Sequence, residues 1–211
     1  VMGGAGFIEE YPAAQIYRDE RINRIFEGTN EINKLIIGGT FLKKAILEEL
    51  PIRDQIYHRM EDYLPTLTFS GDHELSSEIS VIELSRSLML DMLHRLILKY
   101  GQDLKNEQWI LEPFSNLGIS FSVIDTTFKR FYGLESGQHK DNTENVFKLS
   151  LANNFYEMLN NSRIILEYVP NFDLDQKLVR FLEELNYTPN RIAYKQKIVT
   201  DLYKHKKYYL D

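Results

Sequence analysis

The sequence predicts an all-α protein: an antiparallel helix pair followed by an up-and-down helical bundle. Three observations carry this. Apolar residues recur at spacings of three and four along most of the chain, the period of one helix face. No stretch alternates apolar and polar residues with period two, as a half-buried strand would. The prolines and most of the glycines fall between the periodic stretches, where they mark helix ends.

The helix pair comes first. Pro12 suits the N1 position, where its missing N–H costs nothing. Residues 12–25 then carry Ile16, Ile22 and Ile25 at roughly helical spacing. Arg18, Asp19, Glu20, Arg21 and Arg24 read as a solvated face with local pairing. Thr29 or Asn30 is a plausible N-cap for the second helix, residues 30–50. Its stripe is Ile32, Leu35, Ile36, Leu42, Ile46 and Leu47, and it stops before Pro51.

Residues 51–75 read as a junction. They hold Pro51, Pro65, Gly71 and the polar loop 70–74, with a short amphipathic piece at 53–64. The expected division is therefore 1–50, the helix pair; 51–75, the junction; and 76–211, the bundle. In the bundle, Ile79, Ile82, Met89, Leu93, Leu96 and Tyr100 share one face, and Gly101 ends that helix. Phe114, Leu117, Phe121, Ile124, Phe128 and Phe131 form a second stripe, read as core. Pro113 starts or kinks it, and Gly133 and Gly137 mark its end. Val146, Leu149, Tyr156, Leu159 and Leu166 form a third, ending before Pro170. A short fourth has Leu174, Leu178, Phe181, Leu182 and Leu185, with Asp173 as N-cap. A fifth covers residues 190–208 after Pro189. Short connections between long helices favour antiparallel neighbours, and residues 76–211 are expected to fold by burying one another's faces.

Composition excludes several function classes. A net charge of −6 supplies no basic field for phosphates, so no nucleic-acid partner is expected. Without cysteine there is no disulfide, thiolate catalysis or cysteine zinc site. None of the five histidines forms a ligand pair at helical spacing, and His73, between Asp72 and Glu74, reads as a solvated loop residue; no metal is expected. No apolar run is long enough to span a bilayer.

The chemistry-bearing stretch is residues 21–34, with Glu27 and Gly28 at its centre. A carboxylate stands between Phe26 and a glycine at a helix-to-helix turn, and Gly28 lets backbone approach whatever lies there. A solvated turn glutamate has the same signature. The glycine-rich start, with Met2, Gly3 and Gly4, could bring backbone amides near an anion or be a plain turn. Thr29, Asn30 and Glu31 open a helix, a place that suits a diphosphate. Helix capping accounts equally for Asn30 and Glu31.

The segment 3–35, GGAGFIEEYPAAQIYRDERINRIFEGTNEINKL, resembles the last catalytic segment of the acyl-CoA dehydrogenases. Gly3-Gly4-Ala5-Gly6-Phe7, Arg18-Asp19 and Phe26-Glu27-Gly28-Thr29-Asn30 fall in the family's order and spacing. A looser resemblance, at Lys105-Asn106-Glu107-Gln108 and the helix that follows, is to the extra C-terminal domain of the very-long-chain members. The resemblance implies a C-terminal portion of a longer flavin enzyme, inactive alone, that oxidises fatty acyl-CoA to trans-2-enoyl-CoA. It implies Glu27 as the base for the α-proton, Phe26 and Gly28 beside the substrate, and Met2, Gly3, Gly4, Thr29, Asn30 and Glu31 towards flavin adenine dinucleotide (FAD). It further implies a homodimer, an electron-transfer flavoprotein as acceptor, and the bacterial cytoplasm or the mitochondrial matrix as location.

That chemistry suits the residues. A carboxylate attacking a carbon acid is helped by burial under the acyl chain and by hydrogen bonds that stabilise the developing enolate, one of them implied to come from the glutamate's own N–H. A non-catalytic interaction or assembly module derived from such an enzyme is the competing reading. Membrane association is not expected. The region 46–64, where long-chain relatives carry that contact, is short and holds Glu48, Glu49, Asp54, Glu61 and Asp62 against Arg53 and Arg59. The basic run 204–207 beside Tyr208 and Tyr209 reads as a solvated tail.

Overall fold

The computed structural model describes residues 2–61, 75–134 and 138–205, which form helices and their connections, with no strand among them. Val1, residues 62–74 with Pro65, Gly71 and His73, residues 135–137 with Gly137, and residues 206–211 lie outside the described residues. A short 3-10 turn, η1 (Gly3–Gly6), precedes α1 (Pro12–Ile22) and α2 (Asn30–Ile46). Then come α3 (Ile52–Glu61), α4 (Ser76–Tyr100), a second 3-10 turn η2 (Gly101–Asn106), α5 (Gln108–Tyr132), α6 (Gln138–Tyr168), α7 (Phe172–Leu185) and α8 (Arg191–His205). The all-α expectation holds.

The core lies where α4, α5 and α6 meet. Leu84, Leu88, Met92, Leu93 and Leu96 of α4 are fully or almost fully buried, with Phe114, Leu117 and Ile124 of α5 and Phe147, Leu151 and Phe155 of α6. The aromatic stripe of α5 is core, and Phe131 stacks on Phe147 with ring centroids 4.8 Å apart. A single stripe had been expected for α4. It is instead buried on several faces, because α3, α5, α6 and α7 all touch it. A central helix needs apolar residues all round, which blurs the periodic signal.

Helix ends differ from expectation in three places. α1 stops at Ile22, and residues 23–28 form irregular turns. α2 stops at Ile46. There Glu49 N–H donates to the Lys44 carbonyl at 3.0 Å and Glu48 N–H to the Ala45 carbonyl at 3.3 Å. These are the two bonds of a Schellman closure, with Glu48 (φ 58°) where glycine usually stands. The missing glycine is why the sequence hid this end. α7 starts at Phe172, one residue before Asp173, so the capping position falls on Asn171. Pro113 lies inside α5 and is buried.

α2 lies against α5. Phe41 and Phe114 meet with centroids 6.0 Å apart, and Ser115 Oγ donates towards the Lys34 carbonyl at 2.6 Å. Leu42 joins the same core as the bundle. Beyond that contact, Ile37, Gly38 and Phe41 line a cavity of about 390 Å³ together with Met89, Phe114 and Phe121. α1 is different: it touches η1 and buries none of its residues.

Candidate active site

Glu27 occupies the turn between α1 and α2 and adopts φ 53°, in the left-handed region that non-glycine residues rarely enter. Gly28 follows at φ 97°. Two successive left-handed residues turn the chain sharply, so the carboxylate stands at the apex instead of on a helix face. Backbone bonds close the turn: Phe26 N–H donates to the Ile22 carbonyl at 3.1 Å and Asn30 N–H to the Arg24 carbonyl at 3.2 Å. Phe26 and Glu27 are exposed, and among the described residues the Glu27 carboxylate has no hydrogen bond or ion pair. A non-glycine held in a sparsely populated conformation, with a free functional group, is a pattern found at functional sites.

The expected cofactor residues divide into two groups. Met2 caps η1, and Gly3 and Gly4 open it; all three are exposed. Gly3 has φ 55°, and a Cβ at Gly3 or Gly4 would meet nothing within 4 Å. Among the described residues no hydrogen bond or ion pair joins this turn to residues 26–31. The second group opens α2. Thr29 is its N-cap, with Oγ1 accepting from Ile32 N–H at 3.2 Å. The Glu31 carboxyl is held below the usual carboxylate range by its own backbone N–H and then by the Thr29 hydroxyl. Asn33 N–H donates to the Thr29 carbonyl at 2.9 Å.

Three of the first four N–H groups of α2 are already paired: Asn30 to the Arg24 carbonyl, Ile32 to Thr29 Oγ1 and Asn33 to the Thr29 carbonyl. Few free N–H groups are left there for the diphosphate contact expected of this helix start. The donors that remain suit a cofactor's hydroxyls better. The Asn30 carboxamide has no partner among the described residues, and the Glu31 carboxylate can accept. The two open glycines leave room for a phosphate or a ring against backbone. On that donor set a nucleotide cofactor fits, through side chains at α2 and bare backbone at η1.

Two features lay beyond sequence reasoning. Asn33 Nδ2 reaches back to donate to the Gly28 carbonyl at 3.0 Å. Asparagine inside a helix's second turn is no recognised capping signal. The apolar surface around the turn was also hidden. Phe7 is 86% exposed and Tyr17 75%, with Ile16, Ile22, Ile25 and Phe26 half exposed or more. Sequence periodicity marks a helix face as apolar without saying whether anything covers it.

Residues 1–42 match the acyl-CoA dehydrogenase, C-terminal domain family. The whole candidate site falls within that match. A probable acyl-CoA dehydrogenase of Bacillus subtilis (strain 168) is 40% identical over 112 residues, which is 53% of this chain and 19% of that protein. The mitochondrial short-chain specific acyl-CoA dehydrogenase of Bos taurus is 49% identical over 43 residues, 20% of this chain and 10% of that protein. An acyl-CoA dehydrogenase from Bacillus anthracis, crystallised in complex with FAD, superposes with a TM-score of 0.86 at 29% identity over 98% of this chain and 36% of that one. The chain thus spans about a fifth of the bacterial relative's length and about a third of the structural neighbour's. The structural likeness runs through α4–α8 as well as the matched segment.

Among the described residues no group of histidine, aspartate and glutamate is placed to hold a metal ion, and no helix is long and apolar enough to cross a membrane.

Proposed function

We propose that this chain supplies the catalytic-base segment of a flavin-dependent acyl-CoA dehydrogenase, with Glu27 as the base. The observation that carries this is the conformation of Glu27. It is a free carboxylate at φ 53°, before a glycine at φ 97°, inside the segment that matches the dehydrogenase family. In this reading Glu27 takes the α-proton of a fatty acyl-CoA thioester, forming the carboxylic acid, while the β-carbon gives up a hydride. FAD, when bound, accepts that hydride, and the product is the trans-2-enoyl-CoA. Phe26 lines the acyl chain, and Gly28 lets the thioester approach the backbone. Met2, Gly3 and Gly4 lie against the cofactor, and Asn30 and Glu31 meet its hydroxyls; Thr29 holds Glu31 for that role.

The exposed apolar surface of α1 and η1 fits a segment that is closed over by the remainder of a longer enzyme, so this stretch by itself is expected to be inactive. The division at residues 51–75 and the very-long-chain subtype belong to the same reading. The structural likeness over α4–α8 supports an enzyme with an extended helical tail. A homodimer, and an electron-transfer flavoprotein as acceptor, complete it.

The test is Glu27→Gln in the full-length enzyme. The amide is nearly the same size and cannot take the proton. Flavin content should stay unchanged, and turnover should fall by several orders of magnitude. Near wild-type turnover would place the base elsewhere.

A further inference from the structure

The turn that carries Glu27 is not held by a core. Phe26 is half exposed and α1 buries nothing. Yet Glu27 and Gly28 both stand in the left-handed region, which for Glu27 must be imposed by neighbours. Backbone bonds close the ends of the turn, Phe26 to Ile22 and Asn30 to Arg24. The middle is fixed by one side chain. Asn33 Nδ2 donates to the Gly28 carbonyl at 3.0 Å across five residues.

The fit is two-sided. A Cβ built on Gly28 would stand 2.8 Å from Asn33 Oδ1, so the carboxamide fills the space that a side chain at position 28 would need. Asn33 is itself exposed, so burial gives it no other task. Its backbone N–H and its side chain together hold two successive carbonyls, those of Thr29 and Gly28.

Resting on the reading of Glu27 as the base, we propose that Asn33 is a positioning residue for that base. Its carboxamide pins the Gly28 carbonyl and so sets where the Glu27 carboxylate and the 27–28 peptide stand against the acyl thioester. Asn33 does not touch the reacting atoms. It acts through the turn.

The experiment uses the full-length enzyme with Asn33→Ala, Asn33→Asp, Asn33→Gln and, in parallel, Glu27→Gln. Asn33→Ala should lower kcat about ten- to a hundred-fold, the scale expected when a reacting group is misplaced by about 1 Å. KM should barely move, because the loss falls on the transition state. Asn33→Asp has the same size but, when ionised, offers no donor and faces a carbonyl with negative charge; its loss should be at least as large. Asn33→Gln keeps the donor and should recover most of the rate. Melting temperatures should stay close to wild type in all three, since the side chain is exposed.

Wild-type kcat in Asn33→Ala, or a raised KM with kcat unchanged, would overturn the proposal. So would a loss in Asn33→Gln equal to that in Asn33→Ala. The Glu27→Gln arm separates the two ideas. Retained turnover there removes the base itself. Lost turnover there beside a normal Asn33→Ala enzyme leaves the base in place and removes only the role of Asn33.

Discussion

Replacing Gly38 by alanine should destabilise this protein although Gly→Ala in a helix ordinarily does the opposite. Gly38 is buried in α2 where that helix crosses α5. A Cβ there would stand 2.4 Å from Ser115 Oγ, 3.2 Å from the Leu111 carbonyl oxygen and 3.5 Å from Leu111 Cδ2. Ser115 cannot simply swing away, because its hydroxyl lies 2.6 Å from the Lys34 carbonyl and 2.7 Å from that of Leu111. Alanine gains about 1 kcal/mol of helix propensity. Against this stand about 1–3 kcal/mol for overpacking and about 1 kcal/mol for the displaced buried hydrogen bond. The net is a loss of roughly 1–3 kcal/mol. For a chain of this size that lowers Tm by about 2–4 °C per kcal/mol, or roughly 2–12 °C. Thermal and urea unfolding of the 211-residue chain, followed by far-ultraviolet circular dichroism, measures it. Ser115→Ala removes the closest clashing atom, so the double variant should be more stable than the sum of the singles by on the order of 1 kcal/mol. A Gly38→Ala protein melting at or above wild type, or strict additivity with Ser115→Ala, would refute the packing argument.

Two further predictions concern the bundle. Arg95 is buried and donates from Nε to Asp91 at 2.8 Å and from Nη1 to Asp175 at 2.7 Å, with Nη1 also 3.3 Å from the Val169 carbonyl, so it ties α7 to α4. Arg95→Ala strands a buried carboxylate and should cost about 3–5 kcal/mol in urea unfolding; a loss below about 1 kcal/mol would mean that the site reorganises freely. His94 beside it is held below its ordinary value of 6.5, first by burial, with Arg95 adding to the effect and Asp91 opposing it. Its folded-state affinity for protons is therefore the lower one, and the stability this confers is full above about pH 6.5 and is lost as pH falls through the depressed value. His94→Gln should flatten the acidic side of the stability–pH curve, and an unchanged slope there would show that other groups set it.

Local sequence determined the helices. The three-and-four spacing of apolar residues, Pro12 at N1, Thr29 at the N-cap and Gly101 at the end of α4 are decisions made within a few residues, and the structure keeps them. The aromatic stripe of α5 was legible for the same reason: Phe114, Leu117, Ile124 and Phe131 share one helical face and are buried together. The position of Glu27 was legible too, since a glycine between two helical patterns marks a turn and the flanking residues form an extended motif. What the sequence could not decide was anything set by a distant partner or by backbone conformation. The left-handed φ of Glu27, the Schellman closure on Glu48 and the grip of Asn33 on Gly28 depend on how a few carbonyls are satisfied, and no residue pattern encodes that uniquely. That most N–H groups at the start of α2 already meet oxygens of Arg24 and Thr29 was likewise settled by local backbone geometry. The contact of α2 with α5, and the burial of α4 on several faces, came only from tertiary packing. An apolar side chain states that it should leave water, and only the assembled helices decide which neighbour receives it.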